Sequence, residues 1–295
     1  MREFRKDPAR DRWVILATER ALRPYDFKKH LDLPPEESPC FFCGFDEPFR
    51  VLSADTGLVR HDTIVETPRH GVFPDAFDGA HYEALVGLYV KRMTELGRQK
   101  SARYVFLYKN HLLPRRGGRG IARHAHSEIA ALPVVPKKVA EELDTARAYY
   151  LRTGDCIYCR MLSGEASLKT RWVAENEAFA AFCPYAAQSP FEMIVLPKAH
   201  GADFTEMTAP EKRALAGLLL VLMKKIKKVL NERPFYLALH TLPVRSDALG
   251  AREAYHWHIE ISPRTFFIAG FEWGGGIFIN PVAPEEAART LREAA

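Results

Sequence analysis

Apolar positions recur at two different spacings along the chain, and these spacings predict an alternation of strands and helices. Residues 63–66 and 193–196 are short apolar runs of the kind that forms strands. Residues 80–96 carry apolar side chains three and four positions apart, and residues 210–231 do the same. This spacing predicts two helices, each with one apolar face.

Each of these helices is followed by two further predicted strands. They lie at 103–108 and 128–135 after the first helix, and at 235–239 and 257–262 after the second. A third helix, predicted over 139–150, links the two series. Each series therefore predicts antiparallel strands crossed by one helix, which is an α+β unit.

The residues that carry chemistry repeat along with the elements, which indicates an internal duplication. Each half contains a Cys-x-x-Cys pair, then a histidine after a proline, then a His-x-His-x-Glu run. The separation from the lone histidine to that run is 54 residues in the first half and 56 in the second. We therefore expect two domains, residues 1–137 and residues 138–295.

Composition and charge narrow the class of protein. The chain has 295 residues, of which 47% are hydrophobic and 27% charged, with a formal net charge of +5. No apolar run is long enough to span a membrane, and residues 1–7 contain no apolar signal core. A cytoplasmic protein without membrane contact is expected, and the charge is too small to favour nucleic acid as a partner.

Four of the five cysteines form the two Cys-x-x-Cys pairs, and we expect both pairs to lie in loops that bind metal. Each pair needs two more ligands for a tetrahedral zinc site, and the repeat supplies two histidines in each half. His258 is an alternative to His256 in the second half. The fifth cysteine, Cys183, is expected to be a small buried side chain. The prediction is two structural zinc ions per chain, with the ligands Cys40, Cys43, His70 and His124, and Cys156, Cys159, His200 and His256.

The first His-x-His run provides a candidate nucleophile. Alternate residues of a strand point the same way, so His126 can project beside the zinc ligand His124 into one cleft. A neutral imidazole can attack the α-phosphorus of a nucleotide and form a phosphoramidate. An arginine-glycine run, residues 115–120, lies just before it, and Arg119 is a candidate ligand for the phosphates. A hydrogen-bond acceptor is also needed to fix the imidazole tautomer.

Taken together, these motifs resemble the galactose-1-phosphate uridylyltransferase family, a branch of the histidine-triad superfamily. The resemblance covers nearly the whole chain and implies a tandem duplicated histidine-triad fold, with an antiparallel sheet and flanking helices. It implies that His126 is the nucleophile. It also implies substrate contacts from several other segments, including one that reaches in from a neighbouring subunit: Arg20 and Arg23, Asn110 at the end of 106–110, and Phe271 and Glu272 from the neighbour.

The reaction implied by the resemblance is a ping-pong transfer. UDP-glucose gives its uridylyl group to the histidine, and galactose 1-phosphate then takes it. The partners would be a nucleotide sugar and a hexose 1-phosphate, bound by a homodimer whose active site is shared across the interface. Nucleic acid is not expected as a partner.

Three departures from the family pattern leave the substrate open. Glu128 stands where the family has a glutamine that donates to a phosphoryl oxygen, and an ionised carboxylate cannot donate. Glu128 is therefore protonated, or an arginine lies between it and the phosphate, or its role differs from that of the glutamine. The family's Gly-x-Ser loop and Asn-x-Phe-Pro segment are absent, and the second cysteine pair is more typical of archaeal members and of plant ADP-glucose phosphorylase. The alternatives are an ADP-glucose phosphorylase or adenylyltransferase, and a non-catalytic zinc-dependent module that binds nucleic acid.

Overall fold

The computed structural model of the chain describes residues 2–20, 39–57, 59–112, 122–246, 248–265 and 268–294. In the first half, the strands and the helix are β1 (Arg2–Lys6), β2 (Trp13–Ala17), β3 (Arg50–Asp55), β4 (Arg60–Val65), α1 (Gly79–Gly97), β5 (Tyr104–His111) and β6 (His126–Leu132). In the second half they are α2 (Lys137–Thr153), α3 (Ile157–Leu168), β7 (Trp172–Glu175), β8 (Phe179–Phe182), β9 (Met193–Pro197), α4 (Ala209–Leu230), β10 (Phe235–His240), α5 (Ala251–Ala254), β11 (His258–Pro263), α6 (Gly270–Gly275), β12 (Phe278–Asn280) and α7 (Pro284–Glu293).

One large sheet runs through both halves. Within the described residues it has nine strands in the order β3-β4-β6-β5-β10-β11-β9-β8-β7, and every neighbouring pair is antiparallel. The order β3-β4-β6-β5 is repeated in reverse by β10-β11-β9-β8. The two central strands, β5 and β10, pair from Tyr108 opposite Ala238 to His111 opposite Phe235. The strand order therefore shows the duplication that the sequence predicts. The domain boundary at 137/138 stays a prediction.

A second sheet joins the two ends of the chain. Strands β1 and β2 form an antiparallel hairpin, and β12 pairs with β2 in parallel. The turn of this hairpin carries Arg10, whose guanidinium reaches Glu142 on α2 at 2.9 Å. The N-terminal segment therefore packs against the second half of the chain.

Helices α1 and α4 pack on one face of the large sheet, as their predicted apolar faces require. Leu85 and Met93 of α1, and Leu222 and Ile226 of α4, are buried in a single core with the side chains of that sheet face. Helix α4 begins at a capping box in which Thr208 and Glu211 exchange hydrogen bonds. On the opposite face, α2 and α3 cover the second half through a separate apolar cluster.

Two sequence-based expectations were wrong in detail. The strand expected at 128–135 begins at His126 and ends at Leu132, because Pro133 cannot donate a ladder hydrogen bond. The second cysteine pair does not lie in a loop. Cys156 caps the N-terminus of α3, and Cys159 lies in its first turn. The first pair does lie in a turn, and Cys183 is fully buried, as expected.

None of the helices in the described ranges combines the length and the apolar character that a membrane crossing requires.

Candidate active site

Strand β6 presents the candidate nucleophile and its neighbour on one face of the sheet. His126 and Glu128 are two residues apart, so both side chains point to the face opposite α1. Tyr108 of β5 pairs with Glu128 in the ladder, and Asn110 lies two residues farther along the same strand. Asn110 is therefore on the same face and level with His126.

The imidazole of His126 is held in one orientation. Its Nδ1 donates to the carbonyl oxygen of His124 at 2.8 Å, so the reactive lone pair is on Nε2. The ring of Phe42 packs against it, with centroids 4.7 Å apart. Burial lowers the pKa of His126, while the hydrogen bond to His124 opposes that shift. The expected acceptor that fixes the tautomer is thus a backbone carbonyl two residues earlier.

The first predicted ligand set converges beside this histidine. The ligand atoms of Cys40, Cys43, His70 and His124 lie within 4.8 Å of one another. The Cys43 Sγ atom is 3.3 Å from Nδ1 of His70 and 3.5 Å from Nδ1 of His124. A tetrahedral zinc with usual bond lengths separates sulfur and nitrogen ligands by about 3.6 Å. The Nε2 atom of His124 donates to Thr67, which leaves Nδ1 for a metal.

The second predicted set has the same geometry. Cys156, Cys159, His200 and His256 converge within 4.8 Å. The Cys159 Sγ atom is 3.4 Å from Nδ1 of His200 and 3.5 Å from Nδ1 of His256. His256, not the alternative His258, therefore points at the cysteines. The donor set of each half suits zinc and leaves no position for a substrate.

His258 lies instead in a buried polar cluster with Glu142, His240 and Glu260. Glu142 accepts from Arg10 at 2.9 Å and from Nδ1 of His240 at 2.7 Å, and Arg10 also pairs with Glu260. The side chain of His258 is fully buried beneath α2. Within the described residues, the side chain of His258 therefore has no exposed surface that a substrate could reach, although the strand geometry of this run repeats that of the first.

Glu128 contacts a histidine and a tyrosine, and no arginine among the described residues covers it. Its Oε2 accepts from the Tyr108 hydroxyl at 2.9 Å and lies 2.9 Å from Nε2 of His61 on β4. Burial alone would raise the pKa of Glu128, but the hydrogen bonds from His61 and Tyr108 bring it below its ordinary value. The hydrogen bond to Glu128 in turn raises the pKa of His61. Each side chain therefore favours the charged form of the other, two residues along β6 from the candidate nucleophile.

Two of the remaining predicted substrate residues, Phe271 and Glu272, lie on α6. Phe271 is half exposed on α6, and Glu272 accepts from the backbone N–H of Ala269 at 3.1 Å. Among the described residues, no hydrogen bond, ion pair or ring contact joins either one to His126. Arg23 and Arg119 lie outside the described residues, as does the side chain of Arg20.

Sequence reasoning missed several residues near the nucleophile. His61 and Tyr108 follow the alternation of β4 and β5, and that alternation could have placed both on the face of Glu128. The buried polar residues behind the strand, Glu66 and Lys109, interrupt apolar runs. Their charge within such a run was the available signal.

Comparisons with known proteins agree with this geometry. Residues 142–293 match the family described as galactose-1-phosphate uridyl transferase, C-terminal domain. The chain is 32% identical to the ADP-glucose phosphorylase of Arabidopsis thaliana, over 99% of this chain and 92% of that protein. It is 28% identical to the galactose-1-phosphate uridylyltransferase of Thermotoga maritima, over 99% and 98% respectively.

Solved structures confirm the fold over the full length. The crystal structure of an ADP-glucose phosphorylase from Arabidopsis thaliana with bound ADP-glucose superposes with a TM-score of 0.83, at 29% identity, and each chain is covered completely. The α+β fold with an antiparallel sheet and flanking helices in two similar halves is confirmed, and so is the prediction of an enzyme rather than a non-catalytic module. The chain belongs to the galactose-1-phosphate uridylyltransferase family of nucleotidyltransferases.

Proposed function

We propose that this protein moves a nucleoside monophosphate group from a nucleotide sugar to an acceptor phosphate through a covalent intermediate on His126. Nε2 of His126 attacks the α-phosphorus, and the bond to the bridging oxygen breaks. The sugar 1-phosphate leaves with that oxygen. A phosphate oxygen of the acceptor then attacks the same phosphorus, and Nε2 leaves. The hydrogen bond from Nδ1 to the His124 carbonyl carries this proposal, because it makes Nε2 the nucleophilic atom.

The finer proposal is a UDP-glucose:hexose-1-phosphate uridylyltransferase, in which galactose 1-phosphate is the acceptor. The similarity to the uridylyltransferase of Thermotoga maritima supports it over nearly the full length. Galactose metabolism would then be the physiological setting.

A second version is favoured by the higher identity to an ADP-glucose phosphorylase. Here ADP-glucose is the donor and inorganic phosphate the acceptor, so the products are glucose 1-phosphate and ADP. The same two steps on His126 serve both versions, since only the base and the acceptor differ.

The pair of Glu128 and His61 explains how a carboxylate is tolerated beside phosphates. His61 lies 2.9 Å away, and its positive charge, when it is protonated, would offset the negative charge of Glu128. The carboxylate still accepts hydrogen bonds, so it suits hydroxyl groups of a sugar or a protonated phosphate oxygen. Asn110, level with His126, is placed to donate to a phosphoryl oxygen. These roles, and those of Arg20, Arg23 and Arg119, are part of the proposal.

Zinc in the two cysteine–histidine sets would hold the polypeptide around the cleft and take no part in bond making. In the first half it would fix the loop that carries Phe42 and the backbone of His124. We further propose a homodimer in which Phe271 and Glu272 complete the neighbouring subunit's site, since neither contacts His126 within its own chain. A cytoplasmic location stays a prediction.

The test is a labelling experiment with two donors. The protein is incubated with UDP-glucose or ADP-glucose, each labelled at the α-phosphorus, and then digested and sequenced. Acid-labile label on His126 supports the proposal, and the donor that gives it selects the version. Label on another residue, or none with either donor, rejects the proposal. His126→Ala is the matched negative variant, and His258→Ala is expected to leave the site of labelling unchanged.

A further inference from the structure

Behind the nucleophile, on the helix-covered face of the sheet, four buried polar side chains form one connected network. Nζ of Lys109 donates to Glu66 at 2.5 Å and to the carbonyl oxygen of His126 at 3.2 Å. The other carboxylate oxygen of Glu66 accepts from the hydroxyl groups of Tyr89 and Ser127. Glu66 is 1% exposed, and the other three side chains are also buried.

A buried ion pair of this kind is not expected to add much to the stability of the sheet. Burial raises the pKa of Glu66, but the charge of Lys109 outweighs it and the net shift is downward. Burial lowers the pKa of Lys109, and the charge of Glu66 opposes that shift. In geometry, the contact is that of an ion pair withdrawn from water. Replacing such a buried pair by apolar side chains is often neutral or stabilising, so its retention calls for another explanation.

The second half of the chain provides an internal comparison. Ser127 follows His126, and Ile259 follows His258 at the corresponding position of β11. Tyr108 pairs with Glu128, so Lys109, the next residue of β5, is opposite Ser127 of β6. At the corresponding positions of the second half, Leu239 is opposite Ile259. Leu239 and Ile259 both belong to the apolar core. The same sheet geometry is therefore built without charge in the half whose histidine is sealed from substrate.

The network and the backbone of Glu66 and Thr67 together bind each residue of the segment 124–127. The His124 ring donates to the carbonyl of Thr67 at 2.6 Å, and the carbonyl of Ala125 accepts from the N–H of Glu66 at 2.9 Å. The carbonyl of His126 accepts from Lys109, and the next side chain is bound to Glu66. Four consecutive residues are thus fixed to one buried ion pair and the strand end that carries it.

We propose that Lys109 and Glu66 are positioning residues that fix His126 Nε2 for in-line attack on the α-phosphorus. The inference rests on the proposed function, since it presumes that His126 is the nucleophile. The imidazole is oriented by a hydrogen bond to its own backbone, so a shift of residues 124–126 moves Nε2 with it. A misplacement of about 1 Å at a reacting atom costs roughly a hundredfold in rate.

The experiment gives the catalytic half an apolar set like that of the second half. The variant Glu66→Leu/Lys109→Leu/Ser127→Ile removes both charges together, so no unpaired ion is left buried. We expect the wild-type zinc content, a melting temperature near that of the wild type and an unchanged KM for the nucleotide sugar. The single-turnover rate of His126 labelling should fall about a hundredfold. A wild-type labelling rate overturns the inference.

A conservative change at Lys109 should retain most of the labelling rate that the triple variant loses. Lys109→Arg keeps the cationic donor, and a cavity of about 30 Å³ beside Lys109, Glu66 and Tyr89 gives room for the larger group. We expect its labelling rate to lie within about tenfold of the wild type, well above that of the triple variant. A rate as low as that of the triple variant contradicts the role of the charge.

Two further variants keep the test decisive. Asp62→Leu/Arg92→Leu removes another ion pair on the same sheet face, with a 2.6 Å contact, and should leave the labelling rate unchanged. If the triple variant fails to fold, Tyr89→Phe/Ser127→Ala is used instead, since it removes only the two hydroxyl groups that donate to Glu66. It should slow labelling several-fold, and an unchanged rate counts against the inference. Failure of the wild type itself to become labelled rejects the proposed function instead.

Discussion

The aromatic ring of Phe42 packs on the imidazole of His126, with ring centroids 4.7 Å apart and planes tilted by 41°. Phe42 lies between the two cysteines of the first pair, so the predicted zinc loop also forms one wall of the nucleophile's site. Tyr158 occupies the same place in the second cysteine pair and packs on His258 at 5.0 Å. The duplication therefore includes the contact between the loop and the histidine.

This contact predicts an asymmetric effect of two matched substitutions. Phe42→Ala removes the aromatic ring that packs on His126. It should slow formation of the nucleotidyl intermediate about tenfold, because the imidazole is then free to take other orientations. Tyr158→Ala removes the equivalent contact on a histidine without substrate access. It should lower the melting temperature and leave the labelling rate near that of the wild type. Rapid quench measurements on both variants provide the comparison, and equal slowing of the two contradicts it.

The two ligand sets predict a zinc content near two per chain. Elemental analysis of the wild type should give that value, and Cys43→Ser and Cys159→Ser should each reduce it to about one. Cys43→Ser should also abolish labelling, because His124 orients His126. Cys159→Ser should lower the melting temperature while the labelled residue stays the same. A wild-type value near one removes the second site.

The environment of Glu128 predicts the outcome of restoring the family's glutamine. Glu128→Gln should retain or raise transferase activity, since an amide can donate to a phosphoryl oxygen. The same change removes the charge that raises the pKa of His61. The NMR titration of His61 should therefore move to lower pH. Loss of activity with fold and zinc intact would show that the carboxylate has its own chemical role.

The ion pair of His61 and Glu128 also predicts a window of stabilisation in pH. The pKa of His61 is raised, so its contribution is complete below its ordinary value of 6.5 and is lost as pH rises through the raised value. The pKa of Glu128 is lowered, so its contribution is complete above 4.5 and is lost as pH falls through the lowered value. The coupling free energy between His61 and Glu128 should therefore be largest between pH 4.5 and 6.5.

A double-mutant cycle measures this coupling. His61→Asn, Glu128→Gln and the combined variant are unfolded by denaturant at several pH values. Because both side chains retain some solvent contact, the coupling should be on the order of 1 kcal/mol or less in the window. A coupling that does not change between pH 5.5 and pH 9 contradicts the charged pair.

The convergence of the two cysteine–histidine sets could be predicted from the sequence because their spacing is repeated. The role of His126 as nucleophile stays a prediction. Helices α1 and α4 were predictable from periodicity, and the cap at Thr208 marked a helix start. Helix α3 was missed because Gly154 and Asp155 suggested a loop at the second cysteine pair. Gly154 does adopt a positive φ of 77°, but it ends α2, and a new helix starts three residues later.

The rest could not be predicted because it depends on contacts between distant parts of the chain. Arg10 and Glu142 are 132 residues apart, and His61 and Glu128 are separated by 67. Lys109 meets Glu66 only because β4 and β5 flank β6 with the correct register. Local patterns predict which face a side chain takes, whereas the partner across the sheet depends on strand order.

The pairing of β5 with β10 couples the unfolding of one half of the molecule to that of the other. A single ladder crosses the midpoint of the molecule, and α1 and α4 share one core beneath it. Neither half can lose its central strand without exposing an unpaired edge on the other. The molecule should therefore unfold in one cooperative step. The stability of the second half should then also set the lifetime of the site around His126.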